Sequence, residues 1–380
     1  MADGGAAARF RAEFPALADT VHLASCSQGA LSGRLTYALQ EIAFSLRDKG
    51  APWEDWVAEV ERARAGFARF IGAEPGEIAV LSCASEAAYQ VASSMDWARR
   101  AAIVTTDLEF PSIAQVWRAQ GGRGASVRVA RDNGTTVTAE GYAEQIDEDV
   151  NLVSVPMALY GNGARPPVRE VVELAHERGA RVFVDAYQGT GVLPVDVHEL
   201  GCDYLASGSL KYLLGLPGIA FLYVRAGTEH QRDPELTGWF GRRDPFSFDP
   251  RLVDFPAEAR RFETGTHPIP SAYAANAGLE LLAPLDMATV FEHVSTLAAE
   301  LSEQLAGDGE MIASPTDAAG RGPQVAIVDQ DPDALARWLA RRRIVTAPRG
   351  RLLRLSLHYY SDRSDVAAVV DAIRRYRKES

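Results

Sequence analysis

A chain of 380 residues exceeds what one small core organises, and points to two domains or to one large and one small. Apolar residues make up 47% and charged residues 24%, an ordinary globular balance, while 39 basic against 51 acidic residues give a formal charge of −12. That charge, with no basic run, argues against nucleic acid or anionic membrane as the main partner and leaves room for a small anion in a local pocket.

Three cysteines, Cys26, Cys83 and Cys202, are scattered and odd in number. They imply no disulfide framework and lack metal-ligand spacing, which fits a reducing, cytoplasmic compartment and no metal centre. Residues 1–11 are Ala/Gly-rich without the apolar region of a signal peptide, and no apolar run reaches membrane-spanning length.

In chain order, Val21-His22-Leu23 reads as a short strand leading into a small-residue loop over 24–30. Trp53, Trp56, Val57, Val60, Phe67, Phe70 and Ile71 recur at helical spacing, and that helix stops at Gly72-Ala73-Glu74-Pro75-Gly76. A buried strand over 78–81 follows, and Ser82-Cys83-Ala84-Ser85-Glu86 opens another helix. A strand-to-helix turn of small residues presents free N–H groups and the positive end of a helix, which suits a phosphate; the same residues also make a plain N-cap.

A strand over 102–105 ends in Asp107-Leu108-Glu109-Phe110-Pro111-Ser112. Segments 126–130, 138–146, 151–158, 166–178 and 181–185 then alternate between strand and helix, the pattern of parallel β-α-β units covered on both faces. The fold class is therefore α/β. Ligands of such sheets collect beyond the C-terminal strand ends, where Ser85, Phe110, Asn162 and Asp185 all follow predicted strands.

Lys211 sits in Leu205-Ala206-Ser207-Gly208-Ser209-Leu210-Lys211, between an apolar strand and the turn Gly215-Leu216-Pro217-Gly218. Desolvation there disfavours an ammonium and makes Lys211 a candidate for Schiff-base chemistry, although many such lysines only extend their charge to water. A further strand spans 218–224, and 227–265 is irregular and rich in Gly, Pro, Arg and aromatics. Composition shifts near Thr264-Gly265-Thr266-His267-Pro268. Two helices to about 306, a strand over 324–328, a helix over 332–342, a strand over 352–357 and a last helix make a smaller α+β unit.

Asp185, ending its strand, pairs chemically with Lys211. A pyridoxal phosphate (PLP) site needs a lysine for the Schiff base and a carboxylate that keeps the ring nitrogen protonated. Gln188, three residues on, has the reach to hydrogen-bond the ring hydroxyl or to face solvent.

The run Phe183-Val184-Asp185-Ala186-Tyr187-Gln188, then Asp203 through Lys211, then Gly215-Leu216-Pro217-Gly218 resembles the signature of the class V aminotransferase superfamily. These are fold-type I PLP enzymes that include cysteine desulfurases, isopenicillin-N epimerase-like proteins and kynureninases. The resemblance continues through Glu109-Phe110-Pro111-Ser112, Arg261-Phe262-Glu263-Thr264-Gly265-Thr266 and Leu353-Arg354-Leu355-Ser356-Leu357-His358, and covers nearly the whole chain in order. It implies a large PLP-binding domain over 25–265 with a mostly parallel sheet, a small C-terminal domain over 266–380, and an N-terminal segment, 1–24, packing with the small domain.

By the same resemblance, Lys211 holds the cofactor and shuttles the Cα proton, and Asp185 partners the pyridinium. Gln188 and Asn162 lie near the phenolic oxygen, and Phe110 stacks on the ring. Ser85, Glu86 and Ser209 hold the phosphate, with Trp239 beside them. Thr266 reaches the phosphate of a neighbouring subunit, which implies a homodimer with shared sites. Arg354 binds the α-carboxylate of an amino acid substrate, and Gln28 and His358 contribute to its pocket.

The chain departs from the family in places. Leu210 stands where relatives carry His or Tyr, and no cysteine lies beyond Cys202 to serve as a sulfur acceptor, which disfavours a persulfide-forming desulfurase. Gly238-Trp239-Phe240-Gly241 resembles kynureninase, but its Ser-Tyr-Lys is Ser209-Leu210-Lys211 here. The expected reaction is transamination or Cβ-bond cleavage; epimerisation and kynurenine-type hydrolysis are the alternatives, and a non-catalytic scaffold of the same fold is the competitor outside enzymes. No G-x-G-x-x-G, G-K-[ST] or G-x-S-x-G pattern supports a nucleotide enzyme or a serine hydrolase.

Overall fold

A computed structural model describes residues 4–228 and 230–379. The chain begins with helix α1 (Gly4–Ala12), strand β1 (Val21–His22), and helices α2 (Gly33–Lys49) and α3 (Trp53–Phe70). There follow β2 (Ile78–Leu81), α4 (Ala84–Ser93), β3 (Ala102–Thr106), α5 (Pro111–Ala119), β4 (Ser126–Ala130), α6 (Ala139–Ala143), β5 (Val150–Pro156), α7 (Val168–Glu177) and β6 (Arg181–Asp185). Next come α8 (Val197–Leu200), β7 (Tyr204–Gly208), β8 (Ala220–Val224), α9 (Ile269–Leu282) and α10 (Met287–Gly307). The C-terminal part holds β9 (Gln324–Val328), α11 (Pro332–Ala340), β10 (Ile344–Val345), β11 (Ala347–Arg349), β12 (Leu352–Ser356) and α12 (Arg363–Glu379).

A seven-stranded sheet runs in the order β2-β8-β7-β6-β5-β3-β4. Its strands are parallel except β8, which is antiparallel to both β7 and β2. The 218–224 strand, whose direction the sequence left open, thus reverses the chain. The loop over 209–219 is too short to hold the helix such a connection needs, so the chain turns straight back.

Side chains alternate between the two faces. Val182, Val184, Phe221 and Tyr223 share one core with α3 and α7, while Phe183, Leu222 and Val224 share a second with α4 and α5. A smaller antiparallel sheet, β11-β12-β9, carries Arg354, and β1 pairs in parallel with β10 through Val21 and Ile344. The N-terminal segment is further tied there by Leu23 N–H to Val345 O (2.8 Å) and Ser356 N–H to Leu23 O (2.9 Å).

Helices α1, α2 and α5 were not apparent from apolar spacing. α5 opens at Pro111, whose fixed φ suits a first helical position. The 138–146 segment keeps only the short helix α6, capped by the Thr138 side chain accepting from Gly141 N–H. Among the described residues, no helix is long and apolar enough to cross a membrane, and no cluster of His, Cys, Asp or Glu forms a metal site.

This topology puts the C-terminal ends of β2, β3, β5, β6 and β7 on one edge, and the β7–β8 loop carries Lys211 across that edge. The loop is clamped from several sides. Gly29 N–H donates to Leu210 O (2.9 Å), and two glycines press on the next turn. A Cβ at Gly191 would overlap the Tyr212 carbonyl, and one at Gly278, inside α9, would overlap that of Leu213. Leu214 itself adopts φ 62°, in the left-handed region that costs a branched residue energy.

The segment over 259–267 is pinned to β2 by a buried charge network. Arg64 pairs with Glu263, whose Oε1 also accepts from Val80 N–H (2.9 Å) while Oε2 meets His267 Nε2 (2.9 Å). Burial alone would raise the Glu263 carboxyl, but the Arg64 charge and the His267 hydrogen bond outweigh it and hold it at about 2.

The clamp makes a specific expectation. Gly278→Ala must move the Lys211 loop, at a cost on the order of 1–3 kcal/mol, whereas Gly307→Ala has open space and costs nothing. Thermal unfolding of the two variants side by side reads the difference.

Candidate active site

A cavity of about 210 Å³ opens at the sheet edge between the ends of β2, β3 and β6 and the β7–β8 loop. Lys211, Asp185, Phe110, Gln188 and Ser85 line it, as expected from their places after strands. Glu109, Tyr160, Tyr187 and Cys83 line it as well.

The Lys211 amine lies 4.3 Å from the centroid of the Tyr187 ring and 5.3 Å from that of Phe110. Burial lowers its pKa, Asp185 pulls it back up, and the charges of Cys26, Arg354 and Arg349 add smaller effects; the net value is about 8. Asp185 is buried and accepts from Tyr187 N–H at Oδ1 (3.0 Å). Burial raises this carboxyl, and the Tyr187 N–H and the Lys211 charge oppose the rise.

Arg354, on β12, is only 2% exposed. Its Nε donates to Ala347 O (3.0 Å) and its Nη1 to Tyr160 O (2.8 Å). Among the described residues it has no carboxylate partner. Its guanidinium is held by carbonyls, and it does not line the cavity itself, which it meets only through Tyr160.

Three residues expected to face substrate or phosphate instead hold the Lys211 loop. Ser209 Oγ donates to Leu216 O (2.7 Å), and Gln28 Nε2 donates to Gly215 O (3.0 Å). His358 Nε2 donates to Tyr212 O (2.9 Å), and its Nδ1 accepts from Tyr359 N–H (2.8 Å). Stacked on Tyr360 and fully buried, His358 has its pKa pushed down to about 4 by burial, so it is a neutral support.

Asn162 follows β5 but turns away from the cavity. Its Nδ2 donates to Thr135 O (2.8 Å) and Ala313 O (3.2 Å) in a neighbouring groove. Trp239 packs among Trp53, Phe240, Phe246 and Phe248, outside the cavity lining. Glu86 accepts from Ser82 N–H (2.8 Å) and from Thr264 Oγ1 (3.1 Å), bracing the turn rather than facing the cavity. Thr266 is exposed on the protein surface.

The chain belongs to the class V aminotransferase family: the profile described as Aminotransferase class-V matches residues 47–369. It is 36% identical over 365 residues to the "Uncharacterized aminotransferase YcbU" of Bacillus subtilis (strain 168), covering 96% of each chain. Identity to the kynureninase of Deinococcus radiodurans is 28% over 331 residues, covering 83% of this chain and 79% of that one. A solved structure of a C-DES mutant with glycine covalently linked to its PLP cofactor superposes with a TM-score of 0.88 at 21% identity, covering 96% and 98%. The fold is that of fold-type I PLP enzymes, and PLP is the cofactor.

The residues present fit that group. Helix α4 opens at the cavity wall, and no side chain caps it at Cys83, which leaves its first N–H groups for a phosphate. Gln188 donates through Nε2 to Cys26 O (3.1 Å), while its Oε1 is buried without a protein partner, so the amide keeps hydrogen-bonding capacity for a bound polar group. Phe110 supplies a flat wall and Asp185 a buried carboxyl. Bound there, PLP supplies an electron sink for a pair left on the substrate Cα.

Tyr187 and Cys83 carry little chemical signal of their own in the sequence. Tyr187 follows the strand-ending Asp185 by two residues, the one local sign that both belong to the same turn; nothing local marks Tyr160. Because Lys211 must be neutral to attack the cofactor's aldehyde, covalent PLP capture by the protein accelerates as pH rises through about 8 and levels above it. Borohydride trapping followed by peptide mapping at Lys211 measures it; a rate flat across that range contradicts the site.

Proposed function

We propose that this chain is an aminotransferase acting on an α-amino acid. The observation that carries this reading is a lysine of lowered pKa in the cavity with Arg354, buried and without a carboxylate partner among the described residues, bonded to the carbonyl of the cavity residue Tyr160. Arg354 receives the α-carboxylate in bidentate geometry, which orients the substrate so that its Cα faces Lys211. Lys211 takes the Cα proton at Nζ and can deliver it again from the same side, as transamination requires. Among the described side chains lining the cavity, Lys211 is the one Lys, Arg or His, which suits a single-base mechanism. Asp185 would supply the carboxylate that a bound cofactor's ring nitrogen needs to stay protonated. The 36% identity to a protein named an aminotransferase supports the same class.

A second reading, a lyase that breaks a bond at Cβ, is favoured by Tyr187. It lines the cavity, and burial first, then the Asp185 and Cys83 charges, raise its hydroxyl, which therefore stays protonated and can hydrogen-bond a departing group. Cys83 also bears on sulfur chemistry. The lack of a cysteine beyond Cys202 speaks only against a C-terminal acceptor, and an exposed thiol stands in this cavity wall.

Incubation with a panel of amino acids, with and without a 2-oxo acid, separates the readings. Transamination gives a product 2-oxo acid only with the acceptor present; a lyase gives ammonia without it; inversion of the amino acid supports neither. Arg354→Ala removes a buried charge contact worth about 2–5 kcal/mol, so KM for the amino acid rises at least about 30-fold.

We also propose a homodimer with shared sites. Thr266 lies exposed, and exposed Trp53, Phe246 and Phe248 gather around Trp239, with exposed Leu252 and Val253 lining the same groove as Phe248, an apolar patch that suits burial against a second copy. Sedimentation velocity is expected to give a dimer, and Phe248→Glu, at 70% exposure, to shift it toward monomer.

A further inference from the structure

Glu109 is 2% exposed and lines the same cavity as Asp185. Its Oε1 accepts from Phe110 N–H (2.9 Å) and its Oε2 from Ser154 Oγ (3.0 Å). Register explains why it lies close to Asp185. Glu109 follows β3, Ser154 is on the adjacent β5, and Pro156, two residues further along β5, pairs directly with Asp185 on β6. Among the described residues neither carboxyl has an arginine partner, and the cation of the cavity is Lys211.

Two buried carboxylates that line one small cavity with a single amine cannot both ionise without large cost. We propose that Glu109 and Asp185 hold one proton between them at neutral pH, and that Glu109, by carrying it, keeps Asp185 charged toward the cofactor's ring nitrogen. Glu109 is then a positioning residue that acts through Asp185, and this role rests on the PLP reading of the site.

The surroundings decide which partner is protonated. Asp185 has the Tyr187 N–H and the Lys211 charge to stabilise its anion. Glu109 has two neutral donors and faces Asp185 from β6 and the buried Tyr142 phenol from α6, neither of which is a cation. Burial first, and then the Asp185 charge, raise the Glu109 carboxyl, which agrees with this order. A neutral Glu109 still accepts from Phe110 N–H, and so fixes the backbone of the residue whose ring walls the cavity.

Infrared spectroscopy of the full chain, with and without added PLP, tests this directly. The C=O stretch of a buried protonated carboxylic acid is expected at neutral pH in both forms and lost in Glu109→Gln. Ser154→Ala, which removes a donor to the anion, shifts the loss of that band to higher pH, and Asp185→Asn shifts it to lower pH. A band that persists in Glu109→Gln, or one absent from the native chain, overturns the proposal. Should Glu109→Gln fail to fold, the opposite shifts of the other two variants decide: equal or absent shifts overturn it. PLP uptake, followed by absorbance in the same samples, reports the cofactor reading separately.

Discussion

Everything at this site depends on holding one amine in a dry place. Desolvation alone pushes a lysine out toward water, because a four-carbon stem rotates freely and the charge gains several kcal/mol by hydration. Here the stem starts from a loop that cannot yield. Its carbonyls accept from Gly29 N–H, Gln28, Ser209 and His358, and glycines at 191 and 278 let neighbouring backbone close against it. The loop supplies the rigidity, and Asp185 supplies enough opposing charge to keep the amine within reach of neutral pH.

The charges around the amine form a graded set rather than a row of ion pairs. Asp185 and Glu109 lie on the floor, and Arg354 lies behind Tyr160 with its nitrogens tied to carbonyls. By contrast, the Arg64–Glu263–His267 network is internally satisfied, which marks it as a structural anchor for the 259–267 segment.

The polar neighbours of Lys211 divide by what they can reach. Ser209 and His358 have short or ring side chains whose best partners are carbonyls of the turn itself, and a buried carbonyl left without a donor is costly. Their place in the family order made them look like ligand contacts. Their hydrogen bonds show them spending that capacity on the loop. Asn162 is drawn off in the same way, by two carbonyls of the adjacent groove.

Much of this was legible in the amino-acid order. Alternating apolar strands and amphipathic helices announced an α/β sheet, because periods of 2 and 3.6 are properties of the local backbone. Asp185 and Lys211 were identifiable because one ends an apolar strand and the other follows one. Local pattern does not carry strand direction after a short loop, so the antiparallel run of β8 came only from the structure. Nor does it carry which side chain wins a given hydrogen bond. Glu109 joined Asp185 in one cavity only when β3, β5 and β6 lay side by side, and Arg354 reached the Tyr160 carbonyl only when the small sheet docked on the large one. Those contacts join residues far apart in the chain, and only tertiary packing decides them.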